Sequence, residues 1–336
     1  MVSDRLVLSV DNLQTNFQVG NQEISVVRGV SFAAKAGQTL AIVGESGCGK
    51  SVTVHSVMQL LPKNGKIVGG KVTFYGSDKV YELTSLKPFG KEMRSVRGTR
   101  IGMVFQDPMA SLNPVYKVGD QVAENLLQHS KMTKKQARER IVEMFASLGI
   151  PDPERRVDDY PHQFSGGMKQ RVMIAIAMIC NPDLLIADEP TTALDVTIQA
   201  QIMELIGSLK AEKGKSIILI THNMGLVAEN ADEVAVMYMG RIVEQGSVEQ
   251  IFHEPCHPYT KALLRSVPVL GRGRAQRLET IGGSTPSPSE CVEGCEFANR
   301  CEYVSPKCWS HPIPSYEVED NHLVRCVLFA TSEDKR

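Results

Sequence analysis

No run of apolar residues in this sequence approaches the roughly 18–20 needed to span a bilayer. The longest, Val172–Cys180, is about half that length. An apolar signal core is also missing near the N-terminus, where Asp4 and Asp11 interrupt the pattern, so export is not expected. The formal net charge is −1, which gives the chain as a whole no attraction to a nucleic-acid backbone. No internal repeat is visible. The 336 residues suffice for one large domain or two smaller ones, and 42% hydrophobic with 22% charged residues is the balance of an ordinary globular protein. The chain is therefore read as cytosolic, with any membrane role exercised through partners.

Residues of the first 40 alternate apolar and polar, as in LVLSVDNLQTNF and ISVVRGVSFAAKAG, and predict strands of a hairpin-rich sheet. TLAIVG is a short apolar strand that runs into a glycine-rich turn, and SVTVHSVMQLL behind it has helical character. From about 117 to 165 the apolar residues fall three and four apart with charges between, which predicts an inserted helical subdomain. Helix MKQRVMIAIAMI, strand DLLIAD, helix VTIQAQIMELIGSLKAE and strand SIILITH follow. Strands alternating with helices imply an α/β fold with a mostly parallel, covered sheet. GRGRAQRLETIGGSTPSPSE reads as a linker to a cysteine-rich tail.

GESGCGKS at Gly44–Ser51 fits the phosphate-loop pattern G-x-x-x-x-G-K-[ST] at every fixed position, between a strand and a helix. Gly44, Glu45, Ser46, Gly47, Cys48 and Gly49 make the loop, whose backbone N–H groups turn onto phosphate oxygens. Lys50, Ser51 and Val52 open the helix: the Lys50 ammonium should reach the β- and γ-phosphates of ATP and the Ser51 hydroxyl should ligate Mg²⁺. Cys48 fills a variable position, where its thiol is a liability to oxidation. LLIADE supplies the partner carboxylates: Asp188 ends a buried strand and would hold the Mg²⁺ hydration shell, while Glu189 could polarise an attacking water. His222 ends the strand SIILITH, where an imidazole could sense the γ-phosphate.

FSGGMKQR at Phe164–Arg171 resembles the signature of the ATPase subunits of ABC transporters, usually written LSGGQ-x-QR, and the resemblance covers nearly the whole chain. Ser165 lies 115 residues after Lys50 (165 − 50) and 23 before Asp188 (188 − 165), in the family's order. Ser165 can cap the next helix while Gly166 and Gly167 expose N–H groups at its positive end. In the family this element closes on the γ-phosphate held by the opposite subunit. The resemblance further implies that Gln106 is the Q-loop glutamine touching Mg²⁺ and water, that Ala193-Leu194-Asp195 is the D-loop, and that Phe17 stacks on adenine. Phe164, Met168 and Asn223 depart from the commoner Leu, Gln and Asp. The implied fold is a P-loop ABC-type ATPase domain over 1–256, with an N-terminal antiparallel β subdomain and a helical subdomain at about 107–165.

FQDPMASLNP at Phe105–Pro114 and HPYTKALL at His257–Leu264 are similar to segments of the oligopeptide/dipeptide/nickel importer branch, which implies that 257–336 is its C-terminal extension. Five of eight cysteines lie in the last 46 residues, a distribution that suggests metal or iron–sulfur ligation. The branch's GC-x-F-x-x-RC element reads here Gly294–Cys301, so its four-cysteine set becomes Cys295, Cys301, Cys308 and Cys326, with Cys291 outside it. Four thiolates suit a 4Fe–4S cluster or a tetrahedral Zn²⁺, and reduced cysteines without metal are the third reading. The resemblance favours the cluster.

The resemblance implies an importer motor at the cytoplasmic face of the inner membrane, taking up di- or oligopeptides, with nickel or another small solute as the alternative cargo. Its implied partners are a second ABC ATPase chain, in a heterodimer, two membrane permease subunits and an extracytoplasmic solute-binding protein, with no nucleic acid. A soluble ABC-type ATPase acting on DNA or ribosomes would carry a second ATPase domain or a long coiled coil, and neither is present. A degenerate binding module is disfavoured by intact Lys50, Asp188, Glu189 and His222.

Overall fold

The computed structural model describes residues 5–192, 194–266, 281–287, 293–310 and 312–330. Its strands, in chain order, are β1 Leu6–Val19, β2 Gln22–Lys35, β3 Thr39–Val43, β4 Gly65–Tyr75, β5 Val80–Glu82 and β6 Ile101–Val104. They continue with β7 Leu184–Asp188, β8 Ser216–Thr221, β9 Glu233–Tyr238, β10 Arg241–Ser247, β11 Tyr316–Glu319 and β12 His322–Val324. The chain forms two compact units. The first takes residues up to 8, 33–39 and 73–220; the second takes 9–32, 40–72 and those from 221 on.

In the first unit β6, β7 and β8 run parallel, with Ile101 opposite Leu184 and Leu184 opposite Ser216. Every residue of these three strands is buried, which is why they read as apolar runs rather than alternating patterns. The helix Gly166–Met178 lies on β6, and the fit depends on Gly102: a Cβ there would meet the Ala177 carbonyl oxygen at 2.2 Å. Helices Val118–His129 and Lys134–Ser147 pack against it with Val118, Val122, Leu126, Ala137, Ile141, Met144 and Phe145 buried. Thr133 and Gln136 close a reciprocal capping box at the start of the second of these helices, fixing its entry. Thr73–Tyr75 at the end of β4 pair antiparallel with β5.

In the second unit β1 lies between β2 and β4 in the N-terminal antiparallel sheet. β3 pairs parallel with β9, Leu40 opposite Glu233. Met239 and Gly240, at φ 46° and 78°, turn the chain from β9 into the antiparallel β10. The mixed α/β class and the antiparallel N-terminal sheet agree with expectation. Three details differ. The helix behind the glycine loop is Lys50–Val57 only, because Gln59 takes φ 49° and Pro62 follows. The cysteine-rich tail, for which the sequence suggested no strands, supplies two: β12 joins β10 antiparallel, Val324 opposite Glu244, and β11 pairs with β12 around Asn321. Of the expected linker, 281–287 are held in the second unit, where Arg300 donates through Nε to the Gly282 carbonyl at 2.9 Å. The rest of it, with Cys291 and Ala193, lies outside the described residues. Among those residues no helix is long and apolar enough to cross a membrane.

Candidate active site

The glycine loop belongs to the second unit. Gly44, Gly47 and Gly49 sit at φ 152°, 80° and 105°, a region that side chains with a Cβ rarely enter. At Gly44 the requirement is also steric, since a Cβ would come 2.1 Å from the Met237 carbonyl oxygen. Gly49 precedes the first turn of the helix, and the buried Lys50 ammonium donates to the carbonyls of Gly44 at 2.9 Å and Glu45 at 3.1 Å. The loop is thereby curled around its own lysine with Ser46 and Gly47 exposed. Cys48 differs from expectation. It is 1% exposed, and burial pushes its thiol above the ordinary range, so it lacks the exposed thiolate that oxidation needs. Its carbonyl accepts from the Gly240 N–H at 2.8 Å, which pins the loop to the β9–β10 turn.

Phe17, half-buried on β1, packs over the bare backbone of Gly65, where a Cβ would meet its ring at 2.9 Å. His222 follows β8 and is exposed. Asn223 caps the next helix, its side-chain oxygen accepting from Gly225 N at 3.0 Å and Leu226 N at 3.4 Å. An aspartate accepts the same two bonds, which is the physical reason Asn is tolerated here.

The carboxylates belong to the first unit. Asp188 ends β7 and is 2% exposed. Glu189 turns out of the strand at φ 46°, with its N–H bonded to the Ile220 carbonyl at 2.9 Å. Its Oε2 accepts from Gln106 Nε2 at 3.0 Å and from the Thr192 hydroxyl at 2.9 Å. The structure thus brings together Gln106 and Glu189, and adds Thr192, which has no motif of its own in the sequence. Ser165 caps Gly166–Met178, its hydroxyl accepting from Met168 N at 3.3 Å. Gly167 is required by packing, since a Cβ would stand 2.8 Å from Ile198 Cγ2, whereas at Gly166 the nearest atom is Leu194 Cδ2 at 3.6 Å. Asp195 caps Val196–Lys213 by accepting from Ile198 N at 3.0 Å.

In the tail, each of the four cysteines has a backbone N–H directed at its sulfur. Tyr303 N donates to Cys301 Sγ at 3.4 Å and Ser305 N to Cys308 Sγ at 3.5 Å, while Phe297 and Leu328 serve Cys295 and Cys326. Burial pushes the Cys295 thiol up to about 12, and Cys308 and Cys326 push it in the same direction. Cys301 and Cys326 are raised chiefly by burial, with Cys308 adding to it in both. No three of the four sulfurs come within 4.8 Å; among the described residues that spacing is met by Glu244, Cys256 and His322. This second group is internally satisfied: the Glu244 carboxylate takes N–H bonds from Cys256 at 2.6 Å and His257 at 2.9 Å, and pairs with His322 Nε2 at 2.9 Å. Glu296, beside Cys295, is gripped by Arg28 at 3.2 Å, Arg241 at 2.8 Å and Arg325 at 2.5 Å.

Residues 27–192 match the model of the ABC transporter family, and 243–308 match that of the oligopeptide/dipeptide transporter C-terminal region. The dipeptide transport ATP-binding protein DppD of Bacillus subtilis is 51% identical over 324 residues, 96% of this chain and 94% of the relative. The chain belongs to the ABC transporter ATP-binding subunits. The oligopeptide transport ATP-binding protein OppD of Bacillus subtilis is 48% identical over 330 residues, 98% of this chain and 90% of that one. Among solved structures, the dimeric post-hydrolysis state of the ATP-binding cassette MJ0796 bound to ADP and Pi matches at a TM-score of 0.63 and 27% identity. The match covers 72% of this chain and 98% of that one. As an ABC ATPase, the subunit hydrolyses ATP with Mg²⁺ in the service of transport.

Proposed function

We propose that this ABC ATPase drives import of di- or oligopeptides, and that the residues above carry the nucleotide chemistry. The observation that carries the catalytic part is the Glu189 carboxylate, one residue beyond buried Asp188 and oriented by Gln106 and Thr192. A carboxylate fixed in this way is suited to take a proton from an attacking water. The loop Gly44–Gly49 cradles phosphate with its N–H groups, Lys50 neutralises the β- and γ-phosphates, and Val52 continues the helix whose positive end faces them. Ser51, Gln106 and Asp188 would hold Mg²⁺, which supplies positive charge against the phosphate oxygens. Phe17 stacks on adenine and His222 senses the γ-phosphate. Ser165, Gly166 and Gly167 present a helix start to the nucleotide of a second ATPase chain, and Asp195 lies on that same dimer face. ATP is therefore cleaved between two chains, and one chain alone turns over slowly.

The similarity to DppD and OppD supports peptide as cargo, and the match over 243–308 supports the same branch. In this reading two permease subunits cross the membrane, a solute-binding protein delivers the peptide from outside, and this chain sits on the cytoplasmic side of the inner membrane. The second ATPase is a different chain of the same family.

Cys295, Cys301, Cys308 and Cys326 would hold a 4Fe–4S cluster that cross-links the tail. The N–H groups aimed at their sulfurs suit thiolate ligands. A tetrahedral zinc with Zn–S of about 2.3 Å draws its sulfurs to about 3.8 Å apart. Zn²⁺ is the alternative occupant of the same four thiolates.

The deciding experiment replaces Glu189 with Gln in the assembled transporter. The expected result is retained ATP, a trapped ATPase dimer and no peptide uptake; unchanged hydrolysis would remove Glu189 as the base.

A further inference from the structure

Glu45 is the first variable residue of the phosphate loop, and the tail closes on it from three directions. The Glu45 N–H donates to the Tyr259 hydroxyl at 2.9 Å. Its carboxylate is gripped by both arms of one guanidinium, Arg300 NH1 to Oε2 at 2.7 Å and NH2 to Oε1 at 3.0 Å. The Thr285 hydroxyl adds a third bond, to Oε2 at 3.1 Å. We infer that Arg300 is a positioning residue of the phosphate loop, fixing through Glu45 the backbone that receives the nucleotide's phosphates.

The geometry carries this in three steps. The loop is held by its Lys50 bonds and at Cys48 by Gly240, but three of its glycines stand at positive φ and Ser46 and Gly47 are exposed, so a further anchor at Glu45 still narrows its freedom. A glycine segment loses much conformational entropy when ordered, so an anchor within it narrows the alternatives. The anchor is stiff. The Arg300 side chain is 4% exposed and that of Glu45 24%, so the pair is more shielded from solvent than a surface ion pair, and the planar fork fixes orientation as well as distance. Arg300 is itself fixed, by the Gly282 carbonyl at 2.9 Å and by the rings of Tyr238 and Phe297, each centred 5.8 Å away. Its place on the turn Ala298–Arg300, between Cys295 and Cys301, makes the order of the cysteine region and the order of the loop one problem.

A purely structural Arg300 would stabilise the tail and leave nucleotide affinity alone. The inference rests on Gly44–Ser51 being the ATP site, so Lys50→Ala serves as the control for that reading. Binding of a fluorescent ATP analogue with Mg²⁺ is measured in the full chain, and steady-state hydrolysis in the assembled transporter, for Arg300→Ala, Glu45→Ala and the double variant. Each single change is expected to weaken binding and raise KM roughly tenfold, equivalent to about 1.4 kcal/mol. The value of kcat at saturating ATP stays within about twofold. The double variant should be no weaker than the weaker single, because both remove one interaction. Arg300→Lys, which keeps the charge and loses the fork, should fall between. If Arg300→Ala does not fold, Glu45→Gln tests the same pair from the loop side. Unchanged affinity in the folded variants, or an Arg300→Ala effect of equal size in the Glu45→Ala background, overturns the inference. Should Lys50→Ala also leave affinity unchanged, the ATP-site reading fails first; should it alone abolish binding, only the role of Arg300 fails.

Discussion

Gln106 and Thr192 donate to the same oxygen of Glu189, at 3.0 and 2.9 Å, although Gln106 lies 83 residues before it in sequence. Two donors on one oxygen set the rotamer of the carboxylate. They also make the strand end of β7 and the segment after β6 answer to the same side chain, so a shift in one is felt at the other.

Thr192→Val should therefore lower kcat of the assembled ATPase without weakening ATP binding, by about tenfold, less than the hundredfold or more expected for Glu189→Gln. Single-turnover hydrolysis against ATP retention on a filter separates the two. Equal binding and equal turnover in Thr192→Val would deny it a part in orienting Glu189.

The two signature glycines should respond differently to alanine. Gly167→Ala forces a methyl against Ile198 and should cost about 1–3 kcal/mol of stability. Gly166→Ala meets only an ordinary contact with Leu194 and should melt like the parent. Any loss of hydrolysis in Gly166→Ala is then a loss at the nucleotide step, as the proposed dimer face predicts, rather than of the fold. Thermal melting beside ATPase activity reads both.

Acid should destabilise the protein through His257. Burial lowers this imidazole to about 3, Arg325 adding to it, and its Nδ1 accepts from the Tyr259 N–H at 3.0 Å. An unfolded histidine titrates near 6.5, so below that pH the unfolded chain binds a proton that the folded chain refuses. Stability contributed by this site thus falls as pH drops from about 6.5 towards 3, by at most about 1.4 kcal/mol per unit. His257→Asn keeps a capping acceptor and removes the titration, so its melting temperature should fall less than the parent's between pH 7.5 and 5.5.

Anaerobically purified protein should absorb in the visible region as an iron–sulfur protein does, and Cys301→Ser should lose both the band and several degrees of melting temperature. Metal analysis finding zinc instead of iron would replace the cluster.

The glycine loop and the strand that ends at Asp188 were legible in sequence because their determinants are local: Gly44, Gly49, Lys50 and Ser51 fall within eight residues, and LLIAD announces a buried strand by composition alone. What surrounds them was not. Thr192 has no motif, and Tyr259 and Arg300 reach Glu45 across 214 and 255 residues, a distance over which no local pattern carries information. β11 and β12 were missed for another reason. YEVE and HLV are too short to announce themselves, and what makes them strands is their pairing, β12 against the edge of β10 and β11 against β12. The helix after the loop was read too long because Gln59, an ordinary helix former, turns into the left-handed region before Pro62.

The pairing of β12 with β10 limits how this extension can be transplanted. Val324 and Leu323 complete the ladder of Glu244 and Gln245. A cut before Tyr316 would lay open an unpaired strand edge, and such edges recruit other chains. It would also strip the buried Glu244 of His322, one of its three partners. A cassette shortened at that point is expected to aggregate during purification. The same tail grafted onto an ATPase lacking a matching tenth strand would have no ladder to join.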